Sequence, residues 1–316
     1  MIVTLTPNPS LDRTVTVDGL VRGRVHRTTS LRDDPGGKGV NVSRALAANG
    51  DPTCAVVPVG AEAAAAFSTM LDAAAVDHVF VELAGAVRTN ITIAEPDGTT
   101  TKINEPGRAS TPADAESMLD AVEARLEGAT WAVGCGSLPP GLDGQLYAEL
   151  IERAHRRGVR AAIDTSGAPL STAIAARPDL VKPNHHELAE HAGRDLPRLE
   201  DVLAAAHEVL DAGVGTVLVS LGERGAIAVD RAGASHAVAH VATPRSTVAA
   251  GDCLLAGWLH AVESGATRDA ALATAVRWGS AAVALPGSQV PGPADVDRIV
   301  VDVSPSPAPS LTMTTD

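Results

Sequence analysis

The sequence predicts an α/β protein: a three-layer α/β/α core around a mostly parallel sheet, with a small β-lid. Three observations carry that expectation. Short β-branched runs alternate with Ala-rich stretches of helical period along most of the 316 residues, and repeated βα units imply a parallel sheet covered by helices on both faces. Two segments break the rhythm with two-residue alternation and glycine-containing turns, the pattern of hairpins. Hydrophobic residues make up 45% of the chain but aromatics only 2%, so a sizeable core must be built from Ala, Val and Leu rather than aromatic rings.

The elements follow in order. Met1 runs straight into Ile2-Val3-Thr4-Leu5-Thr6, a strand with no basic segment before it. No run approaches eighteen apolar residues, so neither a signal peptide nor a membrane span is expected. Further strands are expected at 54–59, 130–134, 159–164, 179–182, 216–221 and 226–230. Helical patterns fall near 38–49, 62–75, 112–127, 143–157, 185–192 and 198–212. Gly50 sits where a helix C-cap belongs, after Val42, Ala45, Leu46 and Ala48 mark one apolar side. The irregular stretches read as hairpins: Thr14–Leu20 with Val25–Thr28, and Val87–Ile93 with Thr99–Ile103 across a Pro96-Asp97-Gly98 turn. Residues 13–31 and 87–107 are therefore expected to form the lid. Residues 1–12, 32–86 and 108–303 would form the core that binds nucleotide and substrate. The tail 304–316, rich in Pro, Ser and Thr, has the composition of a disordered segment.

The formal net charge of −13 argues against nucleic acid or an acidic membrane as partner. Three cysteines, Cys54, Cys135 and Cys253, form no CxxC and leave an odd count, as suits a reducing cytoplasm without disulfides or structural zinc. Ligands of a parallel α/β sheet bind outside the carboxyl ends of its strands.

Two helix entries carry the chemistry, one rich in glycine and one in small residues. In Pro35-Gly36-Gly37-Lys38-Gly39-Val40-Asn41-Val42, the glycines permit close backbone approach and the helix start points amides outward. Lys38 supplies a point charge for a phosphate, and Asn41 offers donor and acceptor to a hydroxyl. The GxxxxGK[ST] pattern of a P-loop is absent. In Ser246-Thr247-Val248-Ala249-Ala250-Gly251-Asp252, small residues leave amides open to developing negative charge. Locally, Asp252 reads either as a base or as a helix cap. A third group is basic: Arg24, Arg88 and Lys102, in the expected lid. A lid closing on an anionic substrate needs such charges, although isolated basic side chains on strands are usually solvated.

Taken together, these motifs resemble the ribokinase-like carbohydrate kinases, specifically their phosphofructokinase-B branch. The resemblance runs from Thr4–Asp12 to about residue 290. It includes Pro35–Val42 and Thr247–Asp252, Val181-Lys182-Pro183-Asn184-His185-His186-Glu187 as an Asn-x-x-Glu segment, and Ser220–Ala226 as a nucleotide loop. It implies ATP as co-substrate and Mg²⁺ as cofactor. Asp252 would deprotonate the acceptor hydroxyl, with the amides of Ala250, Gly251 and Asp252 as an anion hole behind Ala249. Asp12, Gly37 and Asn41 would grip sugar hydroxyls. Arg88, Lys102 and Lys38 would hold a phosphate already on the substrate, with Arg24 and Ser137 as further candidates. Lys182 and Asn184 fall on the nucleotide side, Glu187 on Mg²⁺ through water. Ser220, Gly222 and Gly225 would line the nucleotide, with Ser280 near the adenine.

Thr101–Gly107 and the lysine in Pro35–Gly39 resemble bacterial 1-phosphofructokinases more than tagatose-6-phosphate kinases or the branch's 6-phosphofructokinases. The implied partners are ATP and a phosphorylated ketohexose, fructose 1-phosphate, with a homodimer formed through the lid. Ala249 stands where the family has a glycine, and a Cβ there would cost roughly 1–2 kcal/mol if φ is positive. Cys253 is expected to pack as a small hydrophobe. His185, His186, Glu187 and His191 could suggest zinc, but His186-Glu187 and His191 space as HExxxH rather than the zinc-binding HExxH. Gly134-Cys135-Gly136-Ser137-Leu138-Pro139 has proline where a dinucleotide fingerprint needs its third glycine.

Overall fold

Strand segments such as Ile2–Leu5 and Thr53–Val59 are buried along their whole length, and their alternate side chains go to opposite faces of one sheet. The computed structural model describes residues 1–305 and 310–313. The chain begins with β1 (Ile2–Leu5), β2 (Ser10–Thr16), β3 (Ser30–Gly36), α1 (Lys38–Ala48), β4 (Thr53–Val59), α2 (Ala61–Ala73), β5 (Asp77–Glu82), β6 (Arg88–Ala94) and β7 (Thr100–Asn104). It continues through α3 (Pro112–Glu123), β8 (Trp131–Cys135), α4 (Gln145–Arg156), β9 (Arg160–Asp164), α5 (Ala168–Ala175), β10 (Leu180–Val181), α6 (His185–Ala192) and α7 (Leu199–Asp211). Then come β11 (Thr216–Ser220), β12 (Ala226–Asp230), β13 (Gly233–Ala239), α8 (Ala250–Glu263), α9 (Arg268–Val283), α10 (Pro293–Val296) and β14 (Val301–Ser304).

The large sheet has the order β14-β13-β12-β11-β10-β9-β8-β1-β4-β5. From β11 to β5 the pairing is parallel. Strands β12, β13 and β14 join antiparallel, because the short turn between β11 and β12 leaves no room for a crossover. Within β1, Ile2 packs with Val42, Leu46 and Trp131 under α1, α8 and α9. Val3 and Leu5, pointing the other way, pack with Met118 and Leu150 of α3 and α4. That two-residue period produces the three layers. The other strands and helices expected from sequence appear within a few residues of their expected bounds, and α5, α9, α10, β5, β13 and β14 are additional. No described helix is long and apolar enough to cross a membrane.

The two irregular stretches form a separate sheet with the order β3-β2-β6-β7. Its hairpins are antiparallel, and β2 and β6 join them in parallel. The strand expected at Val25–Thr28 is instead part of a loop. The β2–β3 ladder runs from Ser10↔Gly36 to Thr16↔Ser30, so residues 25–28 lie past its end, and Val25 is 88% exposed. The same ladder carries this sheet into residues 10–12 and 32–36, which the sequence reading placed in the core. Pro35 is tolerated because β3 is an edge strand. The tail departs from expectation where it is described: Ser304 ends β14, Leu311 and Met313 bond the backbone of Leu199 and Pro197, and Met313 is buried. The rest of the expected disordered segment, 306–309 and 314–316, lies outside the described residues.

Candidate active site

A cavity of about 510 Å³ opens where the carboxyl ends of β1, β8, β9, β10 and β11 meet the second sheet and the starts of α1 and α8. Parallel pairing makes this convergence unavoidable, since it brings every one of those strand ends to the same side. The start of α1 is shaped by Gly37, at φ 111°. A Cβ there would sit 2.5 Å from the Thr6 methyl group, so only glycine lets the helix enter this close to β1. Gly36 serves similarly, because a Cβ on it would collide with the Asp12 carboxylate.

Asp252 lies in the first turn of α8, 6% exposed. Its Oδ2 accepts a hydrogen bond of 2.9 Å from Asn41 Nδ2. Burial and the neighbouring Asp164 carboxylate push its pKa up to about 6, against the opposing pull of Lys38, the Asn41 hydrogen bond and Lys182. Such a group is ionised at neutral pH and still basic enough to take a proton. The residue before the helix, Ala249, adopts φ 61° and ψ −1°. The Cβ strain anticipated for a positive φ is therefore present. Relief of that strain in Ala249→Gly is offset by added freedom of the unfolded chain, so we expect stability to change by no more than about 1 kcal/mol. Turnover should change by less than ~10-fold, because the amides after residue 249 keep their place; a hundredfold rise in a coupled assay would contradict this. Cys253 is fully buried, and burial together with the Asp252 carboxylate raises its thiol well above the ordinary range, so it packs as an apolar side chain.

Asp12 lies on β2 opposite Asn90 of β6. Its Oδ1 accepts hydrogen bonds from Ser10 Oγ at 2.7 Å and Asn90 Nδ2 at 3.0 Å. Burial raises its carboxyl, while these bonds and the Arg88 guanidinium pull the other way. Arg88 is anchored by donation to the carbonyls of Asn8 and Glu105, at 3.0 and 3.1 Å. Ser137 lines the same wall, near Asn8.

Three further charges join in the same cavity. Asp164, fully buried at the end of β9, receives Lys38 Nζ at 2.8 Å and Lys182 Nζ at 3.0 Å. Burial pushes the Asp164 carboxyl up, but Lys182 and Lys38 outweigh it and hold the group below its ordinary value. A Cβ on Gly251 would sit 3.4 Å from Lys182 Nζ. The Lys182 ammonium thus faces the start of α8 and not only the nucleotide loop. Asn184 and Glu187 close a capping box over α6, each side chain bonding the other's backbone amide at 2.8 Å. That leaves one Glu187 carboxylate oxygen for a hydrated cation. A hard, mostly water-coordinated ion such as Mg²⁺ suits this donor, since it needs only one or two protein carboxylates beside substrate phosphates. No cluster of three or more metal-ligating side chains occurs among the described residues.

The cavity brings together Asp12, Gly37, Lys38, Asn41, Arg88, Ser137, Lys182, Asn184, Glu187, Ser220, Ala249, Gly251 and Asp252 from the sequence-derived set. Ala250 stands just outside, its amide directed at the Thr247 carbonyl 3.5 Å away. Gly222 and Gly225 shape the β11–β12 turn, both at positive φ, and Ser280 lies on α9 next to Gly279, which packs against the Ala250 carbonyl. Arg24 and Lys102 do not reach the cavity. Arg24 is exposed in the loop after β2, and Lys102 is exposed on the outer strand β7, opposite Thr92.

The pfkB family carbohydrate kinase profile matches residues 6–295. The chain belongs to this family. It is 43% identical over 287 residues to a 1-phosphofructokinase of Rhodobacter capsulatus, an alignment covering 88% of this chain and 90% of that one. A solved structure of phosphofructokinase-2 from Escherichia coli, in complex with substrates and products, superposes with a TM-score of 0.87 at 31% identity, covering 94% and 97% of the two chains. Arabidopsis thaliana ribokinase, at 20% identity, TM-score 0.74 and coverage of 94% and 97%, shares the fold. The architecture of this pfkB kinase is therefore ribokinase-like.

Asp164, Asn90, Ser10 and Arg44 belong to this pfkB kinase's site or its supports, and the motif reading passed over them. Asp164 had a legible signal, an acid closing the apolar run Ala161-Ala162-Ile163 at a strand's carboxyl end. Arg44 had one too, a charge set among Val42, Ala45 and Leu46 on the buried side of α1.

Proposed function

We propose that the chain transfers the γ-phosphoryl group of ATP to fructose 1-phosphate, giving fructose 1,6-bisphosphate and ADP. One observation carries the kinase chemistry: the buried Asp252 carboxylate, held by Asn41 at a helix start, faces the same cavity as Asp12 and Arg88. The 1-phosphofructokinase of R. capsulatus, 43% identical over most of both chains, supports the choice of sugar phosphate.

In this reading Asp12, Asn41 and the Gly37 backbone orient the sugar, and Arg88 and Lys38 hold its phosphate, with Ser137 beside them. Lys102 and Arg24 remain candidates only through movement of the second sheet or its loop. Asp252 takes the proton of the acceptor hydroxyl as that oxygen attacks the γ-phosphorus. The bond to the bridging oxygen of ADP breaks, and ADP departs with the electron pair. The amides opening α8, with Lys182 beside Gly251, offset charge on the moving phosphoryl group. Such transfer depends on positioning and charge neutralisation more than covalent chemistry. Asn184, Ser220, Gly222, Gly225 and Ser280 lie along the nucleotide side. Glu187 would hold a hydrated Mg²⁺, which would supply further charge neutralisation on the nucleotide phosphates. The setting is cytoplasmic, in keeping with three free, buried cysteines. Leu20, Val21, Val25, Leu31 and Ile103 expose apolar surface on the second sheet and its loop, which supports a homodimer paired through that sheet.

Rates of ADP release with fructose 1-phosphate, fructose 6-phosphate and tagatose 6-phosphate test the reading. Fructose 1-phosphate should give the highest kcat/KM, and a preference for either 6-phosphate would overturn the assignment. Light scattering of the same preparation should return twice the chain mass, and a monomer at assay concentration would remove the lid dimer. The left-handed Ala249 favours a second reading, a weakened kinase that senses sugar phosphate or nucleotide. Binding without ADP release would support it.

A further inference from the structure

Behind the proposed base runs a chain of polar groups that the catalytic reading does not use. Arg44, on α1, is 6% exposed. Its Nη1 donates to Asn41 Oδ1 at 3.1 Å and to the Ser288 carbonyl at 3.1 Å, and reaches the Pro35 carbonyl at 3.5 Å. Its Nη2 lies 3.6 Å from Asp34 Oδ1. Asp34, 5% exposed on β3, also receives a two-pronged contact from Arg32 at 2.8 Å and the Ser288 hydroxyl at 3.4 Å.

The chemistry of these groups makes their order directional. A primary amide can present either its oxygen or its NH₂ to a neighbour, whereas a guanidinium has only donors. With Arg44 donating to Asn41 Oδ1, the amide must turn its NH₂ toward Asp252, where it donates at 2.9 Å. A flipped amide would put an oxygen against the carboxylate. We propose that Arg44 is a positioning residue for phosphoryl transfer, locking the Asn41 amide so that it donates to the ionised Asp252 carboxylate. Asp34, Ser288 and Pro35 hold Arg44 in place, so β3 of the second sheet and the segment after α9 both brace the base.

This inference rests on Asp252 being the base. The charged groups facing Asp252 are Asp164 from β9, Lys38 from α1 and Lys182 after β10, with the Cys253 thiol beside it on α8. Those facing Arg44 are Asp34 and Arg32 from β3, Asp12 from β2 and Cys253 from α8. Arg44 therefore acts on the base through the Asn41 hydrogen bond. Losing a hydrogen bond to the charged form raises a carboxyl's pKa.

The test is a cycle of Arg44→Met, Asn41→Ala and the double variant, with Arg44→Lys as the donor-only control. Each is assayed for ADP release across pH with fructose 1-phosphate, or with whichever sugar phosphate the wild type turns over best. Arg44→Met should lower kcat roughly 10- to 100-fold, the range for removing an orienting partner behind a metal-ligating side chain. The acid limb of its kcat/KM profile should move up by about one pH unit; comparison with wild type cancels titration of the substrate phosphate. The double variant should be no worse than Asn41→Ala, and Arg44→Lys should keep the wild-type acid limb. Multiplying effects, a change in KM alone, or an unmoved acid limb in Arg44→Met would overturn the proposal. If the methionine variant does not fold, Asn41→Ala and Arg44→Lys decide: a limb unmoved in the first, or moved in a folded second, overturns it. Near-normal turnover in Asp252→Asn would instead remove the base itself.

Discussion

Replacing Asp252 by asparagine is expected to lower turnover at least ~10²-fold, the lower end for loss of a general base, while making the fold more stable at pH 8. The two effects share one cause. The carboxylate sits almost without solvent contact at the start of α8, with the Asp164 charge nearby. Its pKa in the fold, about 6, lies above the ordinary value of 3.8. A group whose pKa rises on folding contributes stability below its unfolded pKa and loses that contribution as pH rises through the folded one. Above pH 6 the native protein therefore carries an ionised group that its surroundings disfavour, on the order of 1–3 kcal/mol. Asparagine keeps the shape and accepts the Asn41 hydrogen bond without the charge. Urea unfolding should show the variant more stable at pH 8, with the gap closing toward pH 4. Equal stability at pH 8 would mean that Lys38 and Lys182 fully compensate the buried charge. Near-normal turnover would leave Asp252 as a helix cap only.

Asp164→Asn should act in the opposite sense and cost about 3–5 kcal/mol, the range for breaking a buried ion pair by removing one partner. Asp164 is fully buried between Lys38 and Lys182, and the Lys182 side chain is only 4% exposed. Taking away the shared carboxylate leaves the Lys182 ammonium in a confined site without its direct counter-charge. Lys38, whose side chain keeps 37% of its exposure, can turn to water and loses less. A double variant, Asp164→Asn with Lys182→Met, should recover part of the loss, because it removes both charges rather than one. In wild type, the contribution of Asp164 is present above its unfolded pKa and is lost as pH falls below about 4, since its folded pKa is depressed. Denaturant midpoints of the single and double variants at neutral pH check the argument. A single-variant loss under about 1 kcal/mol would show that solvent already screens the triad.

The layers of the fold were legible because side-chain period and turn chemistry are local. Alternation in Ile2–Leu5 and helical spacing in Val42, Ala45 and Leu46 need only a few neighbours to be read. The glycine-rich start of α1 and the small-residue start of α8 were legible for the same reason. Other features depend on pairings that no local pattern encodes. The true partner of β2 begins at Ser30 rather than Val25 because ladder register, not composition, ends the loop. Lys102 and Arg88 look equivalent in sequence, yet strand order puts one on the outer edge and the other at the cavity. Asp164 and Arg44 were passed over because a lone charge in an apolar run shows its purpose only once distant lysines or an amide arrive beside it. The Met313 contact with Pro197 likewise overrode a composition that reads as disorder.

The hydrogen bond between Asn41 and Asp252 joins residues 211 positions apart, and β1 lies inside the sheet between β4 and β8. During synthesis, then, the emerging chain can pair β1 with β4 early but must hold its other edge open until β8 is made. The half of the cavity lined by Asp12, Lys38 and Arg88 can take shape while the nascent protein is still growing. Asp252, the proposed base, joins only after α8 has been translated and docked against α1, and contacts of such separation are slow to close. Assembly of the cavity is thereby tied to late stages of synthesis: a prematurely terminated product that stops short of α8 contains Asp12, Lys38 and Arg88 but not Asp252.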